Sequence, residues 1–231
     1  VVSFMVKAVN DILDQDFNLQ HGLGNRDVRI LDPATGTGTF LYQVIKQIYL
    51  NFNQYQLNAW NLLFKEQKFL ERIYGFELLM TPYIIANLKL QLLLEKLGYQ
   101  FEKNERLNIF LTNALEEGLK KSEFLLSEYI AQEASSAAQI KKKKLIHVVL
   151  GNPPYAGHSA NKNEFIEGLV TDYYRVDGVP LDEKNTKWLQ DDYVKFIRFG
   201  QHQIDKTGLG ILAFVTNHGY LDNPIFRGMR Q

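Results

Sequence analysis

The chain has 231 residues, 45% hydrophobic and 23% charged, a composition that buries a sizeable core and excludes a disordered or fibrous protein. Lysine plus arginine equals aspartate plus glutamate at 26 each, a balance that argues against strong nucleic-acid binding by this segment alone. With zero cysteines it excludes disulfides, thiolate metal sites and a thiolate nucleophile.

No apolar run reaches membrane-spanning length and no signal-peptide pattern opens the chain, so a cytoplasmic enzyme is the expectation. The chain begins at Val1 and ends in Phe226-Arg-Gly-Met-Arg-Gln231, and it reads as an excerpt of a longer polypeptide.

Val2, Val6, Val9 and Leu13 share one helical face, which predicts a leading helix over 2–14. Val28-Arg-Ile-Leu31 reads as a strand running into Asp32-Pro-Ala-Thr-Gly-Thr-Gly-Thr-Phe40. A helix follows, with Phe40, Val44 and Ile48 at four-residue spacing, until the Asn/Gln-rich stretch 51–61 breaks it. A second helical piece precedes the strand Arg72-Ile-Tyr-Gly-Phe-Glu77. Thr81 as cap, Pro82 at the first helical position and Gly98 as stop predict a helix over 81–97.

Leu107-Asn-Ile-Phe-Leu111 is a third strand, ending at Thr112-Asn113. Residues 116–139 read as helical, and Lys141 to Lys144 as a solvated lead-in to the next strand. That strand runs from Leu145 to Leu150 and stops at Gly151-Asn-Pro-Pro-Tyr155. Residues 156–187 read as irregular, 189–205 as a helix, and Gly210 to Thr216 as a fifth strand. Alternating strands and helices imply a mostly parallel, Rossmann-like α/β sheet covered on both faces. Asp32, Glu77, Asn113 and Asn152 each close a predicted strand, so all four fall on one rim, where such sheets bind ligands.

The Asn152 corner has a distinctive chemistry. Proline lacks an N–H, so the peptide units entering Pro153 and Pro154 offer carbonyl acceptors and no donors. With the Asn152 amide oxygen beside them, they suit a planar group bearing an NH2. Holding both hydrogens of a nucleobase amine stabilises the positive charge that develops when it attacks an electrophile. Tyr155 supplies a flat face for a base swung out of a duplex.

The Gly36-Thr37-Gly38 turn lets a ligand approach the backbone, but it lacks the lysine of a phosphate loop. Leu41 stands where a dinucleotide fingerprint wants glycine. Asp32 ahead of the turn opposes a pyrophosphate and suits a cation such as S-adenosylmethionine. Glu77 can accept from ribose hydroxyls, and Asn113 either bonds an adenine edge or ends its strand. His147, His158, His202 and His218 share no metal-ligand spacing, so no metal is expected.

Asp32-Pro-Ala-Thr-Gly-Thr-Gly-Thr-Phe40 followed by Asn152-Pro-Pro-Tyr155 resembles the paired motifs of amino-group DNA methyltransferases of the N6-adenine kind. More closely, four stretches resemble the methyltransferase region of single-polypeptide, Type I-like (Type ISP) restriction–modification enzymes. They are Tyr74 to Tyr83, Gly151 to Ser159, Lys187 to Lys195 and Thr216 to Pro224.

The resemblance implies a cofactor site of Asp32, Ala34, Thr35, Gly36, Thr37, Gly38, Glu77, Leu78 and Asn113, holding S-adenosylmethionine. It implies catalysis by Asn152, Pro153, Pro154 and Tyr155 on double-stranded DNA with the target adenine flipped out. It also implies nuclease, helicase-like and target-recognition domains in the same polypeptide. Residues 1–231 would then be a partial methyltransferase domain, without the final hairpin of the sheet and without the recognition domain. Two other readings stay open: an RNA or protein-glutamine N-methyltransferase, and a catalytically silent scaffold that positions neighbouring domains on DNA.

Overall fold

In the computed structural model the described residues are 1–53, 69–103, 105–117, 125–155, 157, 159–183 and 186–231. The leading helix α1 spans Val2–Gln15 and turns Val6, Val9 and Leu13 inward. Strand β1 (Ile30–Asp32) feeds α2 (Thr39–Asn53), whose Phe40, Val44 and Ile48 are buried as their spacing requires. Each such side chain stabilises the fold by about 1.5–3 kcal/mol relative to leaving it in water. The predicted break at 51–61 and the helical piece after it fall largely outside the described residues.

Strand β2 (Ile73–Glu77) leads to α3 (Met80–Lys96) and then to β3 (Asn108–Leu111). Helix α3 starts earlier than predicted. Leu79 is its cap residue, and Thr81 makes no capping bond. The carboxylate of Glu77 takes the Leu79 N–H instead, at 2.8 Å. Gly98 does end the helix, with φ +89°; its N–H bonds Glu95 O and that of Tyr99 bonds Leu94 O.

Helix α4 (Leu125–Lys143) runs through the lysine stretch that the sequence reading treats as solvated. Lys141 is the exception within that stretch: it is buried, donating to Asn113 O at 2.7 Å and Glu116 O at 2.6 Å. Lys142, Lys143 and Lys144 are exposed. Part of the predicted 116–139 helix, residues 118–124, lies outside the described residues.

Strand β4 (Val148–Gly151) is followed by the segment expected to be irregular, which contains α5 (Glu164–Val170) and a hairpin of β5 (Arg175–Val176) and β6 (Val179–Pro180). Asp177 and Gly178 have φ +51° and +77°, the paired left-handed geometry of a tight two-residue hairpin turn. Helix α6 (Asp192–Thr207), strand β7 (Ile211–Phe214) and two short helices, α7 (Gly219–Asp222) and α8 (Arg227–Arg230), complete the chain.

The main sheet has five parallel strands in the order β3-β2-β1-β4-β7. One buried layer joins α1, α2 and α3 to the sheet, and a second joins α6 and the C-terminal turns to its other face. The chain order reverses at β1, which pairs with β2 on one side and β4 on the other. Connections therefore leave β1 and β4 over opposite faces, and a crevice opens between their carboxyl ends.

Candidate active site

The turn after β1 is laid onto β2. The Thr35 N–H donates to Phe76 O at 2.9 Å, and the Thr35 hydroxyl donates to Asp32 O at 3.0 Å. Gly75 permits this approach, because a Cβ there would meet Thr35 Oγ1 at 2.6 Å. The sequence reading missed Gly75; its only signal is a glycine inside an apolar strand. Gly36 and Gly38 take φ of +54° and +76°, and a Cβ on Gly36 would meet nothing within 4 Å. The outer face of the turn is therefore open to a ligand.

Two carboxylates frame this opening. Both oxygens of Glu77 are engaged, Oε2 by the Gly36 N–H and Oε1 by the Leu79 N–H, each at 2.8 Å. Glu77 thus fastens the glycine turn to the start of α3, and it is buried at the strand end. Leu78 beside it projects an apolar side chain into solvent, 62% exposed.

Asp32 is almost fully buried, and its Oδ1 accepts the Ala34 N–H at 3.1 Å. Its Oδ2 is buried and has no hydrogen-bond partner among the described residues. Burial pushes the Asp32 carboxyl from its ordinary 3.8 up to about 8; the Ala34 amide opposes the shift and the nearby Glu77 charge adds to it. A buried carboxyl oxygen in this position calls for a hydrogen-bond donor.

The second motif lies across the crevice. Gly151 ends β4 against Asp32, with a virtual Cβ 2.6 Å from Asp32 Oδ1, and Asn152 is the next residue. Asn152 and Pro154 are exposed, Pro153 is buried and Tyr155 is half-exposed. The Tyr155 hydroxyl lies 3.0 Å from Asn152 Oδ1 and 2.8 Å from Val215 O. It has one hydrogen, so it can give up Asn152 and remain bonded through Val215. The Tyr155 ring stands 6.4 Å from that of Tyr193, which with Trp188, Asn217, Asn223 and Phe226 lines a cleft of about 160 Å³.

Asn113, at the end of β3, donates to Glu116 Oε1 at 2.9 Å and Asn161 Oδ1 at 2.7 Å, while its own oxygen accepts the Leu115 N–H at 3.0 Å. Both amide hydrogens are thus engaged, while the amide oxygen keeps a second lone pair. Thr37 is exposed on the turn and Ala34 half-buried. Ala156 and His158 lie outside the described residues, among which no cluster of metal-binding side chains occurs.

Fold and rim together define a doubly wound α/β protein with a crevice where the chain order reverses, an acidic glycine turn on one wall and an acceptor-rich Asn-Pro-Pro-Tyr corner on the other. The chain belongs to the family of the MmeI DNA-methyltransferase domain, whose family model matches residues 13–219. Its fold is shared by LlaBIII, an ATP-dependent Type ISP restriction–modification enzyme solved bound to DNA (24% identity, TM-score 0.79, 100% of this chain and 15% of that one). A nuclease-deletion mutant of the Type ISP enzyme LlaGI, in complex with a DNA substrate mimic, has TM-score 0.80 at 24% identity over 100% of this chain and 18% of its own.

DrdV in its complex with DNA is 30% identical, with TM-score 0.74, over 99% of this chain and 21% of its own. The chain therefore spans 15–21% of the length of these three proteins. No curated protein matches it. Among the described residues, no helix is long and apolar enough to cross a membrane.

Proposed function

We propose that this chain is the methyl-transferring part of a restriction–modification enzyme and methylates the exocyclic N6 of adenine in double-stranded DNA, with S-adenosylmethionine as donor. One observation carries the reading: Asp32, whose buried Oδ2 has no hydrogen-bond partner among the described residues, and the acceptor-rich corner that starts one residue beyond Gly151 close the neighbouring strands β1 and β4. The first calls for a cation, the second for an NH2 group, and a sulfonium methyl donor with an amine acceptor satisfies both.

When bound, S-adenosylmethionine supplies an electrophilic methyl group. Asp32 takes its ammonium, the open face of Ala34 to Gly38 lies along its methionine portion, and the Glu77 rim faces its ribose. Leu78 covers an adenine face, and Asn113 reaches the adenine edge. On the acceptor side, Asn152 Oδ1 and the Pro153 carbonyl hold the two amine hydrogens, so positive charge on the methylated nitrogen is met as it forms. Pro154 stiffens the corner, and Tyr155 stacks on the base. The surrounding polypeptide would hold nuclease, helicase-like and recognition domains and work in the cytoplasm.

The test is labelled methyl transfer to DNA by the full-length polypeptide and its Asn152→Ala variant. The variant should lose at least a hundredfold in rate and keep its affinity for S-adenosylmethionine. An undiminished rate refutes the assignment. Mass spectrometry of the product separates adenine in DNA from RNA or a glutamine amide. Absence of cofactor binding by a folded protein would favour a silent scaffold.

A further inference from the structure

Beyond the Asn152–Tyr155 corner, residues 159–161 are pinned by a buried cluster. Lys195, on the first turns of α6, is fully buried and donates to Ser159 Oγ at 3.2 Å and to Asn161 O. The Ser159 hydroxyl passes its own hydrogen to Asp192 Oδ1 at 2.6 Å and also accepts the Asn161 N–H at 3.1 Å. The same Asp192 oxygen takes the Asn161 amide at 2.9 Å, and Asn161 Oδ1 accepts from Asn113 at 2.7 Å. Tyr193, between Asp192 and Lys195 in sequence, sets its ring 6.4 Å from that of Tyr155.

A lysine with no solvent exposure is costly, and a site needing only volume would be more stable with leucine or methionine. Here the ammonium and the carboxylate each meet two groups of the same short segment, so their joint effect is to select one path for it. Ser159 comes four residues after Tyr155, and through Asn161 the segment reaches the Asn113 amide beyond the end of β3. A displacement of about 1 Å in a reacting group can cost a hundredfold in rate.

We propose that Lys195 and Asp192 are positioning residues for methyl transfer: through Ser159 and Asn161 they hold the Asn152–Tyr155 corner where its acceptors meet the target amine. This rests on the reading given under Proposed function.

The experiment compares the full-length polypeptide with its Lys195→Met and Asn161→Ala variants. It measures single-turnover methyl transfer to DNA, cofactor affinity by calorimetry and folded fraction by circular dichroism. Each variant should lose at least tenfold in rate at saturating DNA and cofactor. Its KM for DNA and its Kd for S-adenosylmethionine should stay within about threefold of the parent's. Parental rates in folded variants overturn the inference, as does a loss that only tracks the unfolded fraction. If Lys195→Met does not fold, Asn161→Ala decides alone, since Asn161 lies outside the helix and is half-buried. A parent that methylates no DNA refutes the proposed function itself, whereas a methylating parent with unaffected variants refutes only this inference.

Discussion

Gly151 and Asp32 are in contact across the β1–β4 crevice: a methyl group on the glycine would sit 2.6 Å from the Asp32 Oδ1 atom. Nothing larger than hydrogen fits, so Gly151→Ala must shift either the carboxylate or the strand that carries Asn152. We expect it to cost about 1–3 kcal/mol of stability, as overpacked sites do. Cofactor affinity should fall at least tenfold, measured by calorimetry on the folded protein. An unchanged affinity would separate Asp32 from the cofactor site.

The elevated Asp32 carboxyl makes a pH prediction with a definite sign. The folded protein holds this proton up to about pH 8, whereas the unfolded chain releases it near 3.8. Between these values the native state binds more protons, so this residue lowers stability as pH rises. Asp32→Asn should flatten that decline, read from urea midpoints at pH 5 and 8. A cationic ligand needs the ionised form, so S-adenosylmethionine should bind more weakly as pH falls from 8 to 6, by at most about tenfold per unit. Calorimetry in buffers of different ionisation heat should register proton release on binding.

Glu77 carries a structural load as well as its proposed ligand role. In Glu77→Gln, one of the Gly36 and Leu79 N–H groups faces an amide NH2, leaving donor against donor. The loss should be about 1–3 kcal/mol, lowering Tm by about 2–4 °C per kcal/mol. Thermal unfolding without ligand is the test, since a residue used only for ribose would leave Tm unmoved.

Tyr155 separates its ring from its hydroxyl. The single hydrogen of that hydroxyl is shared between Val215 O and Asn152 Oδ1, and the Asn152 oxygen must be released from it to take the target amine. Tyr155→Phe should keep methyl transfer within about threefold of the parent. Tyr155→Ala, which removes a stacking face worth about 1–3 kcal/mol, should lose about tenfold or more. Equal losses in the two variants would place the catalytic contribution in the hydroxyl.

Much of the architecture was legible because its signals are local. Short apolar runs closed by Asp32, Glu77, Asn113 and Asn152 read as buried parallel strands, and all four residues lie at or within two positions of the carboxyl ends of strands in the sheet. Other features were not legible, for reasons that differ. The Asp177-Gly178 hairpin carries a recognisable turn pair, but its two-residue strands are too short for alternation to show. Lys141 looked like its exposed neighbours, and only the loop carbonyls at Asn113 and Glu116 explain its burial. Helix α3 lacks the side-chain cap its sequence suggested because Glu77 takes that role from the preceding strand.

By itself the sequence determined the alternation of elements, the acceptor-only peptide units entering Pro153 and Pro154 and the acidic glycine turn, all consequences of residue type and spacing within a few positions. Tertiary structure decided what those features meet: that Asp32 keeps an oxygen unanswered among the described residues, that Glu77 clasps Gly36, and that Lys195 holds Ser159 and Asn161. Such facts depend on burial and on partners as many as 41 positions apart in the chain, and desolvation acts only once the sheet has closed around them.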